Sequence, residues 1–121
     1  LLYKGPRPYE EGQVSVRSDI DADAVAAALE TFGPGIEAWR SHDPVSLVST
    51  LRDGELRIYF DCGQQDEFSF LDDARHLSAV LRRKGIRHEF HTAPGTHHDS
   101  FWRERIHHSL RFHQRSFQSL R

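Results

Sequence analysis

The sequence predicts an α/β fold built on two parallel core strands, and three observations carry that prediction. Two short β-rich runs begin about thirty residues apart, at Leu56 and Ile86, in a chain of 121 residues. A strongly periodic helical segment separates them, and a second one follows. Strands joined by a crossover helix lie parallel, so their C-terminal ends open on one sheet edge. The expected organisation is one domain, with loops and short helices over residues 1–54 and strand, helix, strand, helix over residues 55–121.

Each element has a local reason. Gly5, Pro6, Pro8 and Gly12 punctuate residues 1–18 as an extended loop. Asp19 or Asp21 can cap a helix in which Val25, Ala28, Leu29 and Phe32 share a face, stopped by Gly33-Pro34-Gly35. A second short helix takes in Ile36, Ala38 and Trp39. Asp43-Pro44 then starts a further turn through Val45, Leu47, Val48 and Leu51, closed by Asp53-Gly54.

Leu56 to Phe60 is charged only at Arg57 and suits a mostly buried strand ending at Asp61-Cys62-Gly63. Ser69 and Asp72 form a capping-box pattern, and Phe70, Ala74, Leu77 and Leu81 line one helical face until Gly85. Ile86 to Thr92 alternates as a second strand, with Ile86, His88 and Phe90 on one side. After the loop Ala93 to Thr96, Asp99 or Ser100 caps a last helix whose apolar face is Trp102, Ile106, Leu110, His113 and Phe117.

Composition removes several function classes. The net charge is −2, and the second half is only mildly basic, with none of the clustered Lys and Arg of a nucleic-acid footprint. No apolar stretch approaches the ~20 residues that span a bilayer, so neither nucleic acid nor membrane is expected as a partner. The single cysteine, Cys62, cannot pair within the chain and reads as a buried thiol rather than a nucleophile. Nine histidines raise a metal reading. His88-Glu89-Phe90-His91 is one residue short of the zinc-binding H-E-x-x-H, and on a strand its two histidines would face opposite ways. His107 and His108 are neighbours on a helix, and with His113 they belong to its surface or partial core. No metal and no cofactor is expected.

Ligand and catalytic groups in open α/β sheets collect beyond the C-terminal strand ends. Here those positions hold Gly63-Gln64-Gln65-Asp66-Glu67 and Gly95-Thr96-His97-His98-Asp99. A carboxylate and an imidazole can therefore converge, and an acid that orients a basic histidine is two-thirds of a nucleophilic triad. Asp61, at the strand end, lies too early to reach over the edge. Glu67 directly follows Asp66 and would point elsewhere.

Asp61-Cys62-Gly63-Gln64-Gln65-Asp66, followed by Pro94-Gly95-Thr96-His97-His98-Asp99-Ser100-Phe101-Trp102-Arg103, resembles the C-terminal part of the esterase D-like α/β-hydrolases. These include S-formylglutathione hydrolases, siderophore esterases and mycolyltransferases. Phe32-Gly33-Pro34-Gly35 and Trp39 to Pro44 resemble the segment before that family's penultimate core strand. A strand followed by G-x-x-D is common, but G-x-H with an aromatic pair four and five residues after the histidine is more selective. The resemblance implies a Ser-His-Asp hydrolase of carboxylic esters or thioesters, with Asp66 as triad acid and His97 as general base. It implies that Trp102 packs the histidine loop onto the last helix. It also implies a small-molecule ester substrate and no cofactor.

Two departures stand out. Asp99 occupies a position where the family commonly has an aromatic, and no G-x-S-x-G nucleophile elbow occurs in the 121 residues. The chain also contains no methionine and begins Leu1-Leu2-Tyr3. The expectation is a C-terminal portion of a longer hydrolase, inactive alone and partnered by its N-terminal half or a second copy. The competing expectation is a non-catalytic binding domain of the same fold, or an inactive proteolytic fragment.

Overall fold

The computed structural model describes residues 22–33, 36–68 and 70–119. The loop expected over 1–18, the caps Asp19 and Asp21, most of the Gly33-Pro34-Gly35 stop and the capping-box Ser69 lie outside the described residues. The chain divides into two compact units at Leu51/Arg52.

The first unit carries three short helices: α1 (Ala22–Phe32), α2 (Ile36–Arg40) and α3 (Pro44–Leu47). Asp43 caps α3 as its sequence predicts, accepting from the Ser46 N–H at 2.9 Å and the Ser46 hydroxyl at 2.7 Å, with Pro44 in the first turn. The Trp39 indole N–H donates to the Gly33 carbonyl at 2.7 Å, and the Phe32 ring packs against Trp39 and His42. These contacts join the end of α1 to α2 and to the turn that follows it.

The second unit is strand, helix, strand, helix: β1 (Ile58–Gly63), α4 (Phe70–Arg83), β2 (His88–Ala93) and α5 (Asp99–Gln118). The strands pair in parallel, from Ile58 opposite His88 to Gly63 opposite Ala93. This is the expected α/β arrangement with α4 as the crossover. Period-two alternation assigns the helices to opposite faces of the sheet. His88 meets Ser78 of α4 at 2.8 Å, whereas Tyr59 packs on Phe112 of α5 and Asp61 pairs with Arg105 of α5 at 3.0 Å. Phe60 and Phe90 stack between the strands at 4.8 Å. The Arg87 main-chain N–H and guanidinium both donate to the Asp53 carboxylate, which ties the approach to β1 to the approach to β2.

The strand boundaries differ from the sequence expectation by a forward shift. Leu56 and Arg57 are exposed and outside the ladder, and pairing runs on through Asp61-Cys62-Gly63. Asp61 is tolerated in a strand because Arg105 and the Tyr59 hydroxyl satisfy its carboxylate. Likewise Ile86 precedes β2, since its N–H closes α4 by bonding the Leu81 carbonyl while Gly85 bonds Arg82. This is the Schellman pattern, and its hydrophobic pair, Leu81 and Ile86, is buried.

The apolar stripe of the last helix, expected to be its buried face, is not the side that packs on the sheet. Trp102, Ile106, Leu110 and Phe117 stand exposed, while Phe101 and Phe112 are the buried residues of α5. The buried side includes Arg105 and the half-buried Ser109 and Ser116, which a count of apolar residues overlooks. Asp61 neutralises Arg105 there, and the serines add no bulk. The cap differs too: the N-cap is His98, which makes no side-chain cap bond, and the helix begins at Asp99.

Candidate active site

Beyond the C-terminal ends of β1 and β2 the chain makes two irregular segments, 64–68 and 94–98, and they are knitted residue by residue. Gln64 N–H donates to the Ala93 carbonyl at 2.8 Å and Gln65 N–H to the Gly95 carbonyl at 3.0 Å. The Gln65 side-chain oxygen accepts from Gly95 N–H at 2.8 Å, and the Glu67 carboxylate from His97 N–H at 3.0 Å. The roughly thirty-residue offset of the strand register thus persists past the strands. Close approach is possible because residue 63 is glycine: a Cβ there would sit 2.3 Å from the Gly95 carbonyl oxygen. Gly95 has φ +142, a backbone conformation that side chains disfavour, and an added Cβ would also meet the Phe101 ring at 2.6 Å.

This knitting brings Asp66 and His97 together. His97 Nδ1 lies 2.9 Å from Asp66 Oδ2, with the carboxylate side chain only 3% exposed and the imidazole 35% exposed. Asp66 Oδ1 accepts from Phe68 N–H at 3.0 Å and Phe70 N–H at 3.3 Å, so the same side chain also caps the start of α4. An ionised carboxylate only accepts, so Nδ1–H is the donor in this contact, and in the neutral imidazole that leaves Nε2 with the lone pair. Among the described residues Nε2 has no hydrogen-bond partner. The ring is bounded by Phe70, by Phe68 edge-on at 5.3 Å and by Trp102 edge-on at 5.0 Å.

The other candidates fall elsewhere. Asp61 belongs to the Tyr59 and Arg105 network beneath α5. Glu67 points at main chain rather than at the imidazole, and its other oxygen lies 3.4 Å from His98 Nε2. The His97 N–H bond, ahead of its other contacts, holds Glu67 below the usual carboxylate range. Cys62 is buried, and burial followed by the nearby Asp66 and Asp61 carboxylates pushes its thiol up to about 11. That favours the neutral thiol and disfavours a nucleophile. His88 and His91 do lie on opposite faces, one at Ser78 and the other beside Tyr59 and Glu89. The His107 and His108 rings touch at 3.9 Å on α5. Among the described residues no group of three His, Cys, Asp or Glu side chains is arranged to hold a metal ion.

Sequence reasoning missed the roles of Gln65 and Glu67. The available signal was the run Gln64-Gln65-Asp66-Glu67, consecutive acceptor side chains facing a loop of unpaired N–H donors.

An acid that orients an imidazole with an open nitrogen is suited to proton transfer at a nucleophile and a leaving group. No curated protein and no solved structure matches the chain. A family model does, across residues 12–113, and it describes ester hydrolases. With most of its length covered and the expected partial α/β sheet in place, the chain belongs to the Putative esterase family.

Proposed function

We propose that this chain is the acid- and base-bearing part of a Ser-His-Asp hydrolase acting on carboxylic esters or thioesters. The observation that carries this reading is the 2.9 Å contact between buried Asp66 and His97 Nδ1, which leaves Nε2 open. The nucleophile is a serine outside residues 1–121, because none of these residues forms a G-x-S-x-G elbow.

The serine hydroxyl attacks the acyl carbonyl while His97 Nε2 takes its proton. The tetrahedral oxyanion is held by N–H donors beside that serine. Collapse breaks the bond to the leaving alkoxide or thiolate, which receives the proton from His97. Water then repeats the sequence on the acyl-enzyme, with the proton passing through the same nitrogen. Asp66 keeps the proton-bearing nitrogen turned inward and stabilises the transient imidazolium.

The test is hydrolysis of p-nitrophenyl acyl esters. In a polypeptide that includes the serine, His97→Ala lowers kcat by roughly four to six orders of magnitude, and Asp66→Asn lowers it by about 10⁴ through the wrong tautomer. The 121-residue chain by itself gives no turnover. A near-normal rate for His97→Ala overturns its assignment as base. Turnover by the 121-residue chain, abolished by a histidine-directed reagent, overturns the external serine.

A further inference from the structure

Asp66 fixes the far end of the His97 side chain, but a ring held at one nitrogen still follows its own Cα. The backbone that sets that Cα has little support from its own segment. It follows Gly95 at φ +142, it contains one internal main-chain bond from His98 N–H to the Thr96 carbonyl, and it enters α5 through an N-cap with no side-chain bond. Support comes from the opposite loop. One Glu67 oxygen takes the His97 main-chain N–H at 3.0 Å, and the other lies 3.4 Å from the His98 ring. Gln65 does the same two residues earlier at Gly95. Three successive side chains, Gln65, Asp66 and Glu67, thus grip Gly95 N–H, the His97 ring and the His97 N–H.

We infer that Glu67 is a positioning residue: it anchors the main chain of the base independently of Asp66, so that the imidazole reaches Asp66 from a fixed origin. This rests on the reading of His97 as general base only for its consequence in catalysis. The anchoring itself is a property of the 121-residue chain. Distance supports the division of labour, since one carboxylate meets the ring and the other the backbone. Charge supports it as well. The acceptor is ionised, so the bond to the N–H is of the stronger, charge-assisted kind.

Nuclear magnetic resonance on the 121-residue chain tests the inference without any ester. In Glu67→Ala the His97 amide exchanges with solvent about tenfold or more faster, the scale of a lost hydrogen bond to a charged group. The His97 Nδ1–H resonance broadens with it. Glu67→Gln, whose side-chain carbonyl still accepts, restores most of both signals. Asp66→Asn removes the Nδ1–H resonance but leaves the His97 amide protected. Amides at Leu81 and Phe90 keep their protection throughout, which separates positioning from a general loss of structure. If Glu67→Ala gives no native spectrum, Glu67→Asp carries the same expectation, since it keeps the charge on a shorter arm. Unchanged exchange and an unchanged Nδ1–H signal in Glu67→Ala, or in Glu67→Asp where that variant stands in, overturn the inference. Equal loss at Leu81 and Phe90 overturns it too. Neither result depends on whether the esterase reading survives.

Discussion

Asp66 performs two tasks with its two oxygens, capping α4 through Phe68 and Phe70 N–H and orienting His97. One buried carboxylate therefore couples the start of a helix to the tautomer of a histidine. The same charge acts on Cys62 behind it, where burial, Asp66 and Asp61 together raise the thiol from its ordinary 9.0 to about 11. The sign of the linkage follows. The folded chain keeps its thiol proton where the unfolded chain has lost it, so this contribution to stability is complete below pH 9 and falls as pH rises toward 11. Reactivity follows as well. Near pH 8 the thiolate fraction is about a hundredfold below that of an ordinary cysteine, and burial reduces access further. Iodoacetamide should modify Cys62 at least about a hundredfold more slowly in the native chain than in denaturant, followed by mass spectrometry. Equal rates would mean that the thiol is neither buried nor neutral.

Elements rather than residues decide whether the two site loops meet. The order of strands and helices was legible because each helix carries its own stripe and stop. The meeting of Asp66 with His97 was legible because their 31-residue separation matches one strand-helix-strand unit. Other features were not legible, for reasons of partnership. Asp61 looks like a strand terminator until Arg105 of a distant helix neutralises it, and the apolar stripe of α5 outnumbers the two phenylalanines that it buries. Glu67 looks redundant beside Asp66 until the N–H opposite it is known. Gly63 belongs to the same class, because nothing local requires a glycine there. An alanine at 63 would drive its Cβ to 2.3 Å from the Gly95 carbonyl oxygen, an approach that only backbone separation can relieve. Gly63→Ala should cost about 1–3 kcal/mol, the range of overpacking, and should also abolish the His97 Nδ1–H resonance, because the loops part at their closest point. Urea titration and the proton spectrum check the two effects separately. A stable variant with the resonance intact would show that the glycine contact is dispensable.

At the scale of the whole chain, the described sheet has two strands, and the helix that crosses one face of it leaves an apolar stripe uncovered. Trp102, Ile106, Leu110 and Phe117 lie on one side of α5, adjacent to the side that packs on β1, and Phe117 is 68% exposed. A helix that packs one side on the sheet and carries its apolar stripe on the next has more apolar surface than these two strands cover. Stability and solubility therefore depend on different residues. Leu81, with no exposed surface, lies where α4 ends against the buried Ile86, and removing its side chain leaves a cavity. Leu81→Ala should cost about 2–5 kcal/mol in urea unfolding. Ile106→Ala and Leu110→Ala remove side chains that are mostly in water, and each should change stability by no more than about 0.5 kcal/mol. Where the chain self-associates through this stripe, the same two substitutions should lower its mass in light scattering, since exposed apolar patches favour association. If Leu110→Ala instead unfolds the chain as Leu81→Ala does, the stripe is core. The face of α5 inferred from hydrophobic spacing would then be the right one, and the pairing of Asp61 with Arg105 would have to be given up.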